Sequence, residues 1–496
     1  MSAYTIQATA SMVKAVQAAV PPATTAATTA ATSAFGTGVF QPRLSLEVSP
    51  SITHSYYLGH HQAALATMRR ALAHVGLVIE CRDWRVPLTS WNPLLEHALL
   101  APADQADHKP NADAAGAPAR IIVYTKLDLG PPPGPALRQL RAFHKRDGRA
   151  AAAVVAVGLG GLARREARHG HAGVAGPLDA LLEAVRAVAR RRAGVAGLRA
   201  MVVGMPNAGK STLLNLLRQR GMGRAQAGGE RVKVKKAAKT GAEPGVTRRL
   251  GTPVRIVRAE RPEGETDANE GLGEGVYLLD TPGVFVPHVA EAESMLKLAL
   301  VGCVKDGLVP WVTLADYLLF LLNLHPDTDM DRINSSMDER EERDRRRKRY
   351  QEKERNEKKD SKQRNSKNQD SLINKPSTPA PAPGPQYAYA SQLRMQPTND
   401  VHAFLAAVAR QTGRLGKGGA PNVEAAAAWL VQRWRAGVLG RFALDDVTPA
   451  TLLAARERAR HPALSMNQAR RREREGRREQ GEARRAAAAA EEEGGG

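Results

Sequence analysis

Cysteine is nearly missing from this chain: Cys81 and Cys303 are the only two in 496 residues. Two thiols build neither a disulfide framework nor a four-cysteine zinc site, and such usage fits a reducing compartment. No apolar run reaches the roughly 18 residues that indicate a membrane-spanning helix; the longest uncharged one, Ala150 to Ala163, is shorter and rich in glycine. Acidic residues are missing from the first 46 positions, which are rich in Ala, Thr and Ser and carry Lys14 and Arg43 as their only strong charges. That composition has two readings, an organelle transit peptide or a disordered extension with no address, and the first leaves mitochondrial and chloroplast import both open.

What the chain has in excess is positive charge. Lys and Arg total 72 against 50 Asp and Glu, a net +22. This is the footprint of a protein that meets a phosphate polymer or an anionic surface. RNA is the favoured partner, peripheral contact with a membrane is compatible with the same charge, and no DNA partner is expected. The length allows about two to four domains.

Between about Tyr56 and Val286, strand-like runs alternate with amphipathic helix-like runs, the pattern of an α/β sheet with helices on both faces. Ile121 to Tyr124, Ala152 to Val157, Met201 to Val203 and Val276 to Leu279 are the strand candidates. Beyond Glu291 apolar residues recur every three or four positions in SMLKLALVGCV and LADYLLFLLNL, and again in VHAFLAAVARQTGRL and VEAAAAWLVQRWRAGVLG. The expected organisation is a leader over 1–50 and an α/β domain over 51–290. An all-helical domain over 291–326 and 399–460 follows, interrupted by a charged and Pro-rich insert at 327–398 and trailed by a basic tail at 461–496.

The stretch VVGMPNAGKSTLLNLL carries the chemistry. Gly204 to Ser211 fits G-x-x-x-x-G-K-[ST] between an apolar run and a helix-like run, the setting of a phosphate loop. Unpaired N–H groups of Ala208, Gly209, Lys210, Ser211 and Thr212 can wrap an anion there, Lys210 adds charge for the β and γ phosphates, and Ser211 offers a hydroxyl to Mg²⁺. Asp280-Thr281-Pro282-Gly283 follows the strand-like run Val276 to Leu279. Asp280 can therefore hold a water of Mg²⁺, and the Gly283 N–H can face the γ-phosphate. Between them, Thr247 in EPGVTRR is placed to complete the Mg²⁺ shell, as a loop that γ-phosphate holds and hydrolysis releases.

A guanine reader is missing downstream, where no N-K-x-D follows the D-x-x-G element. Upstream, Thr125-Lys126-Leu127-Asp128 ends the run Ile121 to Tyr124. A carboxylate at Asp128 accepts from guanine N1–H and N2–H₂, which adenine cannot supply. The order is thus permuted: base reader, phosphate loop, switch threonine, D-x-x-G. Thr125 stands where Asn is usual, and the expectation is that it cross-links to the phosphate loop less well.

On these motifs the chain resembles the circularly permuted GTPases of the YlqF/RbgA group, in particular members that work at the mitochondrial ribosome. CRDWRVPLTSWNP, with Trp84 in place of an alanine, GMPNAGKSTLLN, EPGVTR, LLDTPGV, LADYLLFLLN and GRLGKGGAPNVEAAAAWLVQRWRAGVLGRF carry the resemblance. It implies a circularly permuted phosphate-loop GTPase domain, mostly a parallel sheet, followed by a small helical domain. It implies GTP hydrolysis with Mg²⁺, a role in assembly of the large ribosomal subunit through its rRNA, and residence in the mitochondrion, in the matrix or on the matrix face of the inner membrane. Asn207 is then either a K⁺ ligand or a residue that shapes the loop. VGLGGL, Val157 to Leu162, lacks the serine of the usual second base-contacting loop. Val284 replaces the water-positioning glutamine, and His60, matching only through Gly59-His60, is a candidate to orient water.

Two further readings compete: a non-hydrolysing RNA-binding module with a structural nucleotide pocket, and an ATP-driven enzyme. RNA contact is expected at Arg433, Arg435 and Arg441 and at the basic run Arg231 to Lys239.

Overall fold

A computed structural model describes residues 4–19, 40–49, 59–95, 118–146, 151–161, 176–223, 250–258, 274–325 and 395–460, apart from 94, 193, 287 and 290. Ile52, Lys235, Ala237, Ala238, Tyr387, Tyr389, Ala390, Leu393 and Arg474 are described as isolated positions. The insert and the basic tail lie almost wholly outside these residues.

The sheet is six strands, β3 (Leu77–Asp83), β4 (Ala119–Thr125), β5 (Ala153–Val157), β6 (Leu198–Gly204), β7 (Val254–Val257) and β8 (Val276–Asp280). Their spatial order is β5-β4-β3-β6-β8-β7, parallel throughout except for the edge strand β7. β3 and β6 are adjacent and central, and the chain leaves them toward opposite edges. Their C-terminal ends therefore flank a topological switch point, where open α/β sheets bind ligands. β3 and β7 were not among the strand candidates. β3 is buried at every position, ends in charged residues, and so lacks a two-residue alternation.

Alternate residues of the strands face opposite helical layers. Leu77, Ile79, Cys81, Ile121, Val123, Ala200 and Val202 pack against α4 (Pro177–Arg192) and α5 (Lys210–Met222). On the other face Val78, Met201 and Val203 meet α2 (Gly59–Leu72), while Ile122, Tyr124 and Ala156 meet α3 (Gly134–Arg146). This second face also buries charge. Glu80 accepts from Arg82 Nε at 2.7 Å and Arg120 Nη2 at 2.6 Å, and next to them the Tyr124 hydroxyl and His144 Nε2 lie 2.9 Å apart. Burial pushes the His144 value down to about 2 with help from the two arginines, so its ring is neutral.

A separate core holds the helical layer: α6 (Ala292–Leu300), α7 (Trp311–Leu324), α8 (Val401–Gln411) and α9 (Val423–Arg435). α7 starts after Pro310 and is apolar nearly all round, hence its burial at the centre. Asp400 caps α8 through the N–H groups of His402 and Ala403, and Asn422 caps α9 through that of Ala425. The last helix, α10 (Pro449–Arg460), instead lays Leu452, Ala455 and Ala459 into the cluster around Tyr124 and Leu140.

The expectation of a disordered leader over 1–50 is corrected at residues 4–19 and 40–48. β1 (Tyr4–Gln7) pairs antiparallel with β2 (Ser45–Val48), α1 (Ala10–Ala19) follows β1, and Ile6, Met12, Leu46 and Val48 are buried in the helical core. Burial alternates along β2, where Leu46 and Val48 face inward, while β1 buries Ile6 alone, and Arg43 pairs with Asp316 of α7.

Burial alone would raise the Glu80 carboxyl, but Arg82 and Arg120 outweigh it and lower its value to about 2 from the ordinary 4.5. Because the folded value lies below the unfolded one, its contribution is whole above about pH 4.5 and fades as pH falls toward about 2. We predict that Glu80→Gln, which leaves two buried guanidiniums without a counter-charge, lowers stability by on the order of 3 kcal/mol at neutral pH. It should also flatten the decline between about pH 4.5 and 2, as read from urea unfolding across that range.

A candidate nucleotide site at the ends of two central strands

β6 ends at Gly204, whose backbone lies so close to the Cys81 carbonyl oxygen that a Cβ would overlap it. The chain then turns through Asn207 (φ 55°) and Gly209 (φ 85°), both left-handed, and enters α5 at Lys210. The sharp turn follows from this geometry and leaves the first N–H groups of α5 at an anion-binding position. Ala208 is buried in the sheet core, and Ser211 and Thr212 lie in the first turn of α5. Lys210 is buried, donating from Nζ to the carbonyls of Met205 at 2.8 Å and Gly204 at 3.3 Å; burial lowers its pKa against the opposing pull of Asp280.

The D-x-x-G element stands on the adjoining strand. Ser211 Oγ donates to Asp280 Oδ2 at 2.6 Å, and the Thr281 hydroxyl donates to the Val202 carbonyl at 2.6 Å. Gly283 faces the phosphate loop at a spot where a Cβ would stand 2.5 Å from the Pro206 backbone, so only glycine fits. Val284 is fully buried and cannot orient water; its N–H donates to Gly204 O at 3.3 Å and its carbonyl accepts from Asn92 Nδ2 at 2.7 Å. Ser211 and Asp280 form a hard oxygen pair of the kind that suits Mg²⁺.

The residues expected to read the base stand at the end of β4. Thr125 Oγ1 lies 2.7 Å from the Ala208 carbonyl and 3.1 Å from that of Arg82, so its proton joins β4 to the phosphate loop. The expectation was that threonine cross-links less well than asparagine; at this fully buried strand end its short side chain does reach the phosphate loop. Lys126 is left-handed (φ 58°) and its Nζ contacts Asp83 Oδ2 at 2.9 Å. Asp128, in the 3₁₀ turn Leu127–Leu129, accepts the Leu159 N–H on Oδ1 at 2.7 Å.

That bond supplies a role for the loop VGLGGL. Gly158 and Gly160 flank the Asp128 carboxylate so tightly that a Cβ on Gly160 would overlap Oδ2, while the Leu159 side chain lies over Gly209. One residue thus braces the carboxylate through its N–H and covers the phosphate loop with its side chain. Asp128 and the phosphate loop accordingly flank one site, although Asp128 comes first in the chain. Sequence reasoning missed Leu159, Asp83 and Asn92; the glycines around Leu159 were the available signal.

Other expected residues are placed differently. Thr247 lies outside the described residues, as does most of the run 231–239. His60 is in the first turn of α2, and its side chain is outside the description. Asn207 Nδ2 donates to Gly302 O at 2.8 Å, a tie to the helical layer consistent with shaping the loop. Arg435 is corrected as an RNA contact: it donates to the carbonyls of Ala299 at 2.8 Å and Leu300 at 2.9 Å at the end of α6 and pairs with Asp306. Arg433 is exposed and lies over the Trp429 ring at 5.4 Å, and Arg441 is exposed.

Known GTPases resemble this chain in sequence. The family described as 50S ribosome-binding GTPase matches residues 199–359, from β6 onward. Mitochondrial GTPase 1 of Schizosaccharomyces japonicus is 27% identical over 79% of this chain and 90% of its own length. Mitochondrial ribosome-associated GTPase 1 of Mus musculus is 31% identical over 54% of this chain and 67% of its own. The chain belongs to the mitochondrial ribosome-associated GTPase 1 family. It is a GTPase of circularly permuted α/β fold, with β3 to β5 preceding the matched segment and completing the sheet from upstream. Among solved structures, GNP-bound YlqF from T. maritima aligns over 77% of this chain and 97% of that one, at 17% identity and a TM-score of 0.35.

We predict that Thr125→Val leaves the buried Ala208 carbonyl without its donor and costs about 1–3 kcal/mol in this GTPase. Thermal unfolding without nucleotide measures this; an unchanged Tm would mean that the tie contributes nothing.

Proposed function

We propose that this GTPase is a GTP-dependent assembly factor of the large ribosomal subunit in mitochondria, binding pre-ribosomal RNA in its GTP form and leaving after hydrolysis. Guanine recognition is the part most directly supported, by a single observation: Leu159 braces Asp128 while covering Gly209, so a base reader and a phosphate loop flank one site. The ribosomal partner is supported by the names of the relatives and by the net charge of +22.

In this reading Asp128 accepts from guanine N1–H and N2–H₂, Lys126 lies along the base, and Thr125 keeps the two halves in register. The N–H groups of Ala208 through Thr212 hold the phosphates. Lys210 leaves the carbonyls of Met205 and Gly204 for the β and γ oxygens, where its charge opposes the charge of the transition state. Ser211, Asp280 and Thr247 would hold Mg²⁺, Asp280 through water, and the ion would neutralise charge between the β and γ phosphates. Gly283 offers its N–H to the γ-phosphate. With Val284 buried, water is left to His60 or to charge near Asn207, with K⁺ as the cation in question. Faster turnover in K⁺ than in Na⁺ would favour the ligand role of Asn207; equal turnover would favour its loop-shaping role.

Asp128→Asn replaces an acceptor with a donor facing N1–H. We predict a loss of preference for GTP over ATP of at least about fivefold, since a mismatched buried group costs ~1–3 kcal/mol. Competition of unlabelled nucleotides against fluorescent GDP measures it. For the partner, sedimentation with large ribosomal subunits should show binding with a GTP analogue, not with GDP, that falls steeply with salt. Equal binding with both nucleotides would remove the switch from the account.

A further inference from the structure

The residues that hold Lys126 do not belong to the nucleotide motifs. Asp83, at the last position of β3, is fully buried and receives four donors: the Arg85 N–H and Nε at 3.0 Å each on Oδ1, and Arg85 Nη2 at 2.8 Å and Lys126 Nζ at 2.9 Å on Oδ2. Lys126 leaves the end of β4 with a left-handed backbone, and Asp83 is the anion on which its ammonium rests.

Arg85 faces the helical layer. Its guanidinium lies over the Trp434 ring at 4.9 Å, its Nη2 is 3.4 Å from the Val301 carbonyl, and its Nη1 has no acceptor among the described residues, as expected for a group set against a ring. The backbone is tied there too. Leu444 N–H donates to Arg85 O at 2.8 Å, and Asp445 accepts the N–H groups of Leu88 at 2.9 Å and Thr89 at 2.7 Å. One residue past Val301, Gly302 O takes the Asn207 amide. The turn after α6 therefore touches the phosphate loop directly and the base side through Arg85.

We infer that Asp83 is the positioning residue of Lys126, and that Arg85 and Trp434 make its position depend on the seating of the helical layer. The inference rests on the proposed role of Lys126 beside the base. Displacing the helical layer, as docking of a large partner would, lets Arg85 and Asp83 shift, and Lys126 follows. By linkage, nucleotide at the base side then favours one seating of the layer, and a partner on that layer changes nucleotide affinity.

The test is a pair of mutant cycles on the full chain, reading KM and kcat for GTP and affinity for fluorescent GDP, with thermal unfolding to verify folding. Lys126→Met should raise KM and weaken GDP about tenfold, with kcat falling less, and Asp83→Asn should do the same. In the Lys126→Met background Asp83→Asn should add nothing, because it acts through that lysine. Trp434→Leu, which keeps apolar bulk in the helical core, should raise KM several-fold, and that effect too should vanish once Lys126 is Met. If Asp83→Asn does not fold, the Trp434 cycle decides. Additive effects in either cycle, or Trp434→Leu leaving KM and GDP affinity unchanged, overturn the inference. Should Lys126→Met itself change neither constant while Asp128→Asn still abolishes guanine preference, the inference falls and the guanine site stands; if both are silent, the site reading falls with it.

Discussion

The hydrogen bond from the Thr125 hydroxyl to the Ala208 carbonyl is the joint on which the site depends. It exists because β3 lies between β4 and β6 in parallel register, pairing Asp83 with Thr125 on one side and Cys81 with Gly204 on the other. Three strand ends thereby stop at nearly one level, and each hands over a different group: Asp83 from β3, Thr125 and the turn to Asp128 from β4, the phosphate loop from β6. Chain order is irrelevant to such a site. Sheet order alone decides which ends are neighbours, so a base reader that precedes its phosphate loop reaches the same place.

Charge is buried on both sides of that joint, with different effects. Glu80 between Arg82 and Arg120 lies beside Tyr124 and His144 of α3, where it is the counter-charge of two buried guanidiniums. Asp83 between Arg85 and Lys126 lies at the strand end itself, where one partner faces the site and the other faces Trp434. Two carboxylates three residues apart on one strand thus serve charge balance and positioning. The second pair ties the permuted domain to its helical layer.

Much of this was legible in the sequence. G-x-x-x-x-G-K-S, D-T-P-G and T-K-L-D state their chemistry through spacing, and four strands of the six announce themselves as apolar runs before turns. β3 did not, because its apolar run Leu77 to Ile79 passes straight into Glu80, Arg82 and Asp83, and burial on both faces leaves no alternation. Leu159 was invisible for another reason: its N–H does the bracing, and a backbone donor has no residue type. Its flanking glycines were the trace it left. Arg435 was misread because a basic residue on an amphipathic helix looks the same whether it meets an RNA phosphate or the carbonyls ending a neighbouring helix. The first strand pair and α1 were hidden by composition, since Ala- and Thr-rich segments read as disordered until Ile6, Met12, Leu46 and Val48 are seen in one core.

The most direct test of the permuted site is a structure of the chain with a non-hydrolysable GTP analogue and Mg²⁺. The account predicts guanine between Lys126 and Leu159 with N1 and N2 on the Asp128 carboxylate, and the triphosphate on the N–H groups of Ala208 through Thr212. A base turned away from Asp128, with the phosphates still on that loop, would contradict it.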